Sequence, residues 1–173
     1  MKIVLWCLCF AVLFYVGPPA NQSPEAFRII PILKRENGYG NFKSIAFLSK
    51  NELDSFLKET STQPGWNNRK EFEDALLNAN VDFSKEALVL LRHTETSGSV
   101  QVTFQTPTLH GRNLVCEIEG TPIPPGHGGT ADMAYYCFAV AVSKSHVSQV
   151  ELRAVEGGFI ARRLATIVFP IKP

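Results

Sequence analysis

A short apolar run at residues 88–91, Leu-Val-Leu-Leu, marks the centre of the predicted fold. It has no polar face, which is typical of a strand that is covered on both sides in the middle of a sheet. Residues 100–105 alternate between apolar and polar side chains, as a strand does when one face lies in the core and the other in water. Because residues 94–99 separate the two and include the flexible Gly98, the pattern predicts a hairpin that makes them neighbours.

Two helices are predicted before this hairpin. Ser49 and Glu52 have the Ser-x-x-Glu spacing of a capping box, which begins the first helix. Asn68 can cap the second helix, with Glu71 three residues later, and Trp66 is placed to pack against its apolar stripe. The apolar stripes at helical spacing are Leu53, Phe56 and Leu57 in the first helix and Phe72, Ala75, Leu76 and Ala79 in the second.

The other predicted strands are residues 27–34, 42–48, 113–119, 134–142, 147–155 and 159–169. Pro31 removes a hydrogen-bond donor, so the first of them belongs at a sheet edge. Residues 134–142 carry large side chains on one face and mostly small ones on the other, and the small face is predicted to lie against the helices. Residues 157–158, Gly-Gly, suit a tight turn, whereas residues 120–132 contain too much proline and glycine for regular structure.

Early helices and late paired strands with short connections favour an α+β fold, with a mainly antiparallel sheet and two helices packed on one face. The chain has 173 residues, of which 45% are hydrophobic and 19% charged. This length and composition suit one globular domain with a substantial core, which we expect over residues 21–173.

The N-terminus has the features of an export signal. Lys2 supplies a positive charge, residues 3–16 are apolar, and residues 17–20, Gly-Pro-Pro-Ala, break a helix and end in a small residue. A helix over the apolar run would be about 21 Å long, shorter than the roughly 20 residues that cross a bilayer. We therefore expect a signal peptide at residues 1–20 and a periplasmic or extracellular domain. Pro18 is unfavourable for cleavage, so a single-pass membrane anchor with the domain outside is the alternative.

The charge balance argues against nucleic acid as a partner. The chain has 17 basic and 16 acidic residues, a net charge of +1. Nucleic-acid binding requires clustered Lys and Arg that neutralise phosphates, and no such cluster is present in the sequence. We expect contact with a membrane through the N-terminal segment alone, and the expected partner is another protein.

Cys116 and Cys137 are the cysteines that would remain after export, and both fall on core-facing positions of predicted strands. In an oxidising compartment they could form a disulfide, whose loop would stabilise the fold by about 3 kcal/mol. Two buried thiols suit strand interiors equally well, so both alternatives remain open. A catalytic cysteine is not expected, because neither residue lies at a helix start or beside a clear basic partner.

Four side chains offer nitrogen or oxygen ligands for a metal: His93 and Glu95 at the end of the central strand, with His127 and Asp132 from the Gly-rich loop. Their spacing matches no metal signature, and each also suits a polar strand end or loop. Ser97 lies in a turn and lacks the Gly-x-Ser-x-Gly context of a nucleophile. No catalytic residue, metal or cofactor is therefore predicted, and these five residues are instead assigned to a contact surface.

Residues 82–86, Asp-Phe-Ser-Lys-Glu, precede an apolar strand, a Ser-Gly turn and an alternating strand. This succession resembles the C-terminal domain of PrcB-type proteins, small exported bacterial subunits that stabilise a protease complex. The resemblance spans residues 48–142; the family's glycine and aromatic after the turn are replaced by Ser99 and Val100, and residues 133–137 have no counterpart. It implies an exported α+β binding domain without its own active site and with a protease as a possible partner, and it transfers no functional residue.

The sequence thus favours an exported, non-enzymatic protein-interaction domain whose contact surface is the rim formed by residues 92–99 and 120–132. A small metal-dependent hydrolase that uses His93, Glu95, His127 and Asp132 is the alternative from a different class. A structural envelope protein is the third hypothesis for the function.

Overall fold

A computed structural model describes residues 26–121, 126, 128–156 and 159–169. The predicted signal segment at residues 1–20, the predicted turn at residues 157–158 and His127 lie outside the described residues. The strands are β1 (Phe27–Ile30), β2 (Ile45–Phe47), β3 (Glu86–Glu95), β4 (Gln101–Phe104), β5 (Thr108–His110), β6 (Asn113–Thr121), β7 (Ala134–Ser143), β8 (Gln149–Glu156) and β9 (Phe159–Val168). The helices are α1 (Lys50–Thr60) and α2 (Arg69–Leu77), preceded by a short 3₁₀ helix (Asn37–Asn41).

The first sheet is antiparallel throughout and has the strand order β1-β7-β3-β2. β3 and β7 pair along their whole length, from Glu86 opposite Ser143 to Glu95 opposite Ala134. The apolar run at residues 88–91 lies at the centre of this sheet, and each of its four side chains is 0% exposed. The prediction of a central strand that is covered on both faces is confirmed.

The second sheet has the order β4-β6-β8-β9, with β5 also paired to β6. β6 and β8 are parallel, because the chain crosses to the first sheet as β7 between them. The predicted hairpin between residues 88–91 and 100–105 is wrong, since β4 pairs with β6 in this second sheet. β3 has no free edge for β4, because β2 and β7 already pair with its two edges. β4 lies in the second sheet instead, where the side chain of Val102 is buried.

The domain has three layers: the second sheet, the first sheet and the helices. The inter-sheet core lies between the two sheets and includes Val89, Leu91, Cys116, Phe138 and Leu152. The helix-side core lies between the first sheet and the helices and includes Leu88, Leu90, Cys137, Ala139 and Ala141. The small-residue face of β7 therefore faces the helices as predicted, and the α+β class with helices on one face of a mainly antiparallel sheet is confirmed.

The two predicted helix caps have different outcomes. The Ser49 hydroxyl accepts a hydrogen bond from the Glu52 backbone N–H, so the first cap is confirmed. Asn68 makes no side-chain cap, although α2 does begin after it. Its Nδ2 instead donates to Glu36 Oε2 over 2.8 Å, because the buried carboxylate of Glu36 also accepts the backbone N–H groups of Asn67 and Asn68 and thus occupies this end of the helix.

Trp66 packs against Phe72 with ring centroids 5.0 Å apart, as its position before α2 predicts. The two rings belong to an aromatic cluster in the helix-side core with Tyr39, Phe42 and Phe56. This cluster anchors both helices on the first sheet.

Cys116 and Cys137 are free and buried. Cys116 lies in the inter-sheet core and Cys137 in the helix-side core, so the first sheet separates them. The structure thus has the two buried thiols of the second alternative and not the disulfide. Among the described residues, no helix is both long enough and apolar enough to cross a membrane.

Candidate functional site

His93 and Glu95 form a hydrogen-bonded pair at the end of β3. The two residues alternate with Thr94, so both point toward the second sheet, on the same face as Val89 and Leu91. His93 Nε2 lies 2.5 Å from Glu95 Oε1, and the His93 side chain is 5% exposed. His93 is therefore buried between the sheets, whereas the Glu95 side chain is 26% exposed.

Gly120 and Tyr136 lie beside this pair. A Cβ atom on Gly120 of β6 would stand 3.3 Å from Val100 Cγ1, which is a tight approach, and 3.9 Å from Glu95 Oε1, which is an ordinary van der Waals contact. Tyr136 lies opposite His93 in the ladder, and its hydroxyl donates to the Val100 carbonyl over 2.6 Å. These contacts fasten the end of the first sheet to the start of β4.

Asp132 is exposed and lies beside the turn between β3 and β4 instead of beside His93. A side chain at Gly98 would collide with the Asp132 carboxylate, which shows how closely the two loops approach. Arg35 Nη1 donates to the Gly98 carbonyl over 2.9 Å, and Arg35 Nη2 lies 4.0 Å from Asp132 Oδ2. The Asp132 carboxylate accepts hydrogen bonds from the Thr130 hydroxyl and from the backbone N–H of Asp132, and it lies near the positive charge of Arg35. These interactions hold the pKa of Asp132 below its usual range.

A second set of contacts joins the same two loops. The Ser99 hydroxyl accepts the Thr130 backbone N–H over 3.0 Å and lies 3.3 Å from the Thr130 hydroxyl. The Ser97 hydroxyl accepts the Ser99 backbone N–H over 3.3 Å, which closes the turn. Residues 97–99 and 128–132 belong to the predicted rim of residues 92–99 and 120–132, and with Arg35 between them they form one polar surface. We call this smaller surface the contact rim.

The structure brings some of the predicted site residues together and separates others. His93, which the sequence assigned to the contact surface, is instead buried and pairs with the partly exposed Glu95. Asp132 belongs to the exposed network with Arg35, and Ser97 lies in the adjoining turn. Across residues 26–121 and 128–156, no three His, Cys, Asp or Glu side chains are grouped as metal ligands. The metal alternative would therefore depend on His127, which lies outside the described residues.

Sequence reasoning missed Arg35. It follows a proline-containing edge segment, and no local motif distinguishes it from the other arginines. The structure places its guanidinium over the Tyr136 ring, 6.0 Å from the centroid, where it reaches Gly98 and Asp132. Arg35 and Tyr136 also form an isolated antiparallel β-bridge. These residues lie far apart in the chain, so no sequence pattern near Arg35 indicates the contact.

Comparisons with known proteins identify no relative of this chain. No family model matches the chain, and neither a curated protein nor a solved structure matches it.

Proposed function

We propose that this chain is an exported, non-enzymatic protein-interaction domain that binds another protein through the contact rim. The observation that carries the proposal is the network that fastens Gly98, Ser99, Thr130 and Asp132 to one another and to Arg35. Two loops that are already held in one arrangement lose little conformational entropy on binding, which favours association. The surface is polar and carries both an arginine and a carboxylate, which suits a protein partner of mixed charge.

The non-enzymatic part of the proposal is supported by the state of the candidate nucleophiles. Burial raises the pKa of the Cys116 thiol to about 12 and raises that of Cys137 further still, so neither is a thiolate at neutral pH. The hydroxyls of Ser97 and Ser99 are engaged with the backbone of their own turn and with Thr130. Neither serine is hydrogen-bonded to His93, the histidine of β3, whose Nε2 pairs with Glu95.

Site-specific photocrosslinking tests the contact rim. A benzophenone side chain placed at Ser97 in the full chain, expressed in its own cells, should crosslink in one-to-one ratio to a single protein that mass spectrometry identifies. The same group at Lys70, which is exposed on α2, is the matched control and should capture that protein poorly. Equal capture from the two positions, or none from Ser97, would contradict a binding surface at the rim.

The second candidate is a small metal-dependent hydrolase, which the 2.5 Å contact between His93 and Glu95 favours. We expect elemental analysis of the purified protein to find no stoichiometric zinc. Zinc in one-to-one ratio, lost in both His93→Ala and Glu95→Gln, would replace the binding proposal with this one. Glu95→Gln is included because it keeps the side-chain volume where His93→Ala leaves a cavity.

Export is part of the proposal and has its own test. N-terminal sequencing of the protein from fractionated cells should find the mature chain in the periplasmic or secreted fraction, beginning after Ala20. A chain that begins at Met1 and stays with membranes would support the anchor alternative. A protease partner, which the resemblance implies, is a prediction that the crosslinking at Ser97 also addresses.

A further inference from the structure

Tyr136 connects the contact rim to the core of the domain. Its side chain belongs to the inter-sheet core, and the residue is 4% exposed. Its hydroxyl donates to the Val100 carbonyl over 2.6 Å. Val100 follows the turn between β3 and β4, and its backbone N–H donates to the Ser97 carbonyl over 3.2 Å. The tyrosine hydroxyl therefore joins the end of this turn to the core.

The ring of Tyr136 supports Arg35. The backbone on either side of Arg35 is hydrogen-bonded to β7, so the start of this side chain is fixed. The side chain itself is 46% exposed, and its guanidinium lies over the tyrosine ring, 6.0 Å from the centroid. A long cationic side chain can lie along an aromatic surface while its charged end stays in water. The ring therefore sets the direction in which the guanidinium points.

Both loops of the contact rim are linked to this one tyrosine. The Val100 carbonyl accepts its hydroxyl directly, and the Gly98 carbonyl of the same turn accepts Arg35 Nη1 over 2.9 Å. Arg35 Nη2 lies 4.0 Å from Asp132 Oδ2 in the second loop. Loops that are held in one arrangement before binding lose less conformational entropy on binding. A residue that holds both loops should therefore affect binding without touching the partner.

We propose that Tyr136 is a positioning residue of the contact rim. Its hydroxyl holds the turn between β3 and β4, and its ring directs Arg35 toward Gly98 and Asp132. Because the residue is 4% exposed, it acts through these contacts and not by touching a partner. Its effect on binding rests on the function proposed for the rim, whereas the positioning can be measured without any partner.

NMR order parameters of the purified full chain test the positioning. They report ps–ns motion within the folded state, so a variant that is folded but less stable does not change them. Tyr136→Phe keeps the ring and removes the hydroxyl. The backbone order parameters of residues 98–100 should fall from about 0.85 to below about 0.6, while that of the Arg35 Nε–H stays the same. Tyr136→Met also removes the ring and should lower the Arg35 value as well.

Tyr135→Phe is the matched control. It removes a hydroxyl from the neighbouring residue, where the group lies 3.6 Å from Met133 Sδ, and it should change neither set of order parameters. Unchanged values at residues 98–100 in Tyr136→Phe, or values below about 0.6 in the natural chain, would overturn the role of the hydroxyl. An equal Arg35 value in Tyr136→Met would overturn the role of the ring. If that variant does not fold, upfield ring-current shifts of the Arg35 side-chain protons in Tyr136→Phe would support the ring contact, and ordinary shifts would overturn it.

Photocrosslinking from Ser97 measures the effect of this positioning on binding. Tyr136→Phe should lower the captured fraction of the partner by at least about threefold, the factor expected for the loss of one hydrogen bond, and Tyr135→Phe should leave it unchanged. Equal capture in these two variants would overturn a role of Tyr136 in binding. No capture from Ser97 in the natural chain would instead contradict the function proposed for the rim, and the order parameters would still decide whether Tyr136 positions the two loops.

Discussion

At the scale of single residues, the contact rim shows how one carboxylate can organise two loops. Asp132 is exposed, yet it lies close over Gly98 and receives a hydrogen bond from Thr130. The absence of a side chain at Gly98 permits this approach, and Arg35 adds a favourable charge from the other side. The arrangement is therefore electrostatic and local, and it should respond to pH.

The pH response of Asp132 is a testable prediction. Its folded pKa is depressed, chiefly by the Thr130 hydroxyl, so its stabilising contribution is present above the unfolded value of about 3.9 and is lost as the pH falls through the folded value. Thr130→Val removes the hydroxyl that donates to the carboxylate and should therefore raise the pKa of Asp132. NMR titration of the Asp132 carboxyl carbon measures this pKa. Thr103→Val, on the exposed face of β4, should leave it unchanged; a pKa that is equal in both variants would refute the assignment.

At the scale of elements, the start of α2 is held by a contact from a distant part of the chain. Asn68 does not cap the helix with its own side chain but donates to Glu36, which lies just before the 3₁₀ helix. This carboxylate also accepts the Asn37 backbone N–H over 2.9 Å. It thus joins the beginnings of two helices, and the local sequence around Asn68 does not reveal that role.

Asn68→Asp distinguishes this contact from an ordinary cap. At an N-cap, Asp is about as good as Asn, but here it would place a second carboxylate beside Glu36 without a donor. We expect a loss of about 1–3 kcal/mol in the free energy of unfolding at pH 7, measured with urea, and a smaller loss near pH 4, where one carboxyl can be protonated.

Ser49→Asp is the matched control for that variant, since Ser49 is a true cap of α1. Asp is as favourable at an N-cap as Ser, so we expect a change of no more than about 0.5 kcal/mol. If the two substitutions had the same small effect at pH 7, the contact between Asn68 and Glu36 would not be important for stability.

At the scale of the whole molecule, three layers depend on the different faces of β7. Tyr136 and Phe138 fill the inter-sheet core, whereas Cys137, Ala139 and Ala141 let the helix layer lie close to the first sheet. Each of the two alanines is 0% exposed. Protein interiors are close-packed, so this face has no space for a larger side chain.

Ala139→Leu tests that packing. The added methyl groups would push the helices away from the first sheet, and we expect the free energy of unfolding to fall by about 1–3 kcal/mol in urea denaturation. Ala131→Leu, at an exposed position before β7, should change it by no more than about 0.5 kcal/mol. A neutral Ala139→Leu would mean that the helix layer is loosely packed.

The sequence by itself determined the features that depend on neighbouring residues or on a repeating period: the Ser49 cap, the enclosed run at residues 88–91 and the small-residue face of β7. Only the tertiary structure decided that β4 leaves β3 for a second sheet, that β6 and β8 run parallel, and that Arg35 reaches Asp132. The physical reason is that alternation along a strand shows which side chains are buried but not against which partner. Pairing partners are chosen by contacts between residues that lie far apart in the chain, and these appear once the layers have assembled.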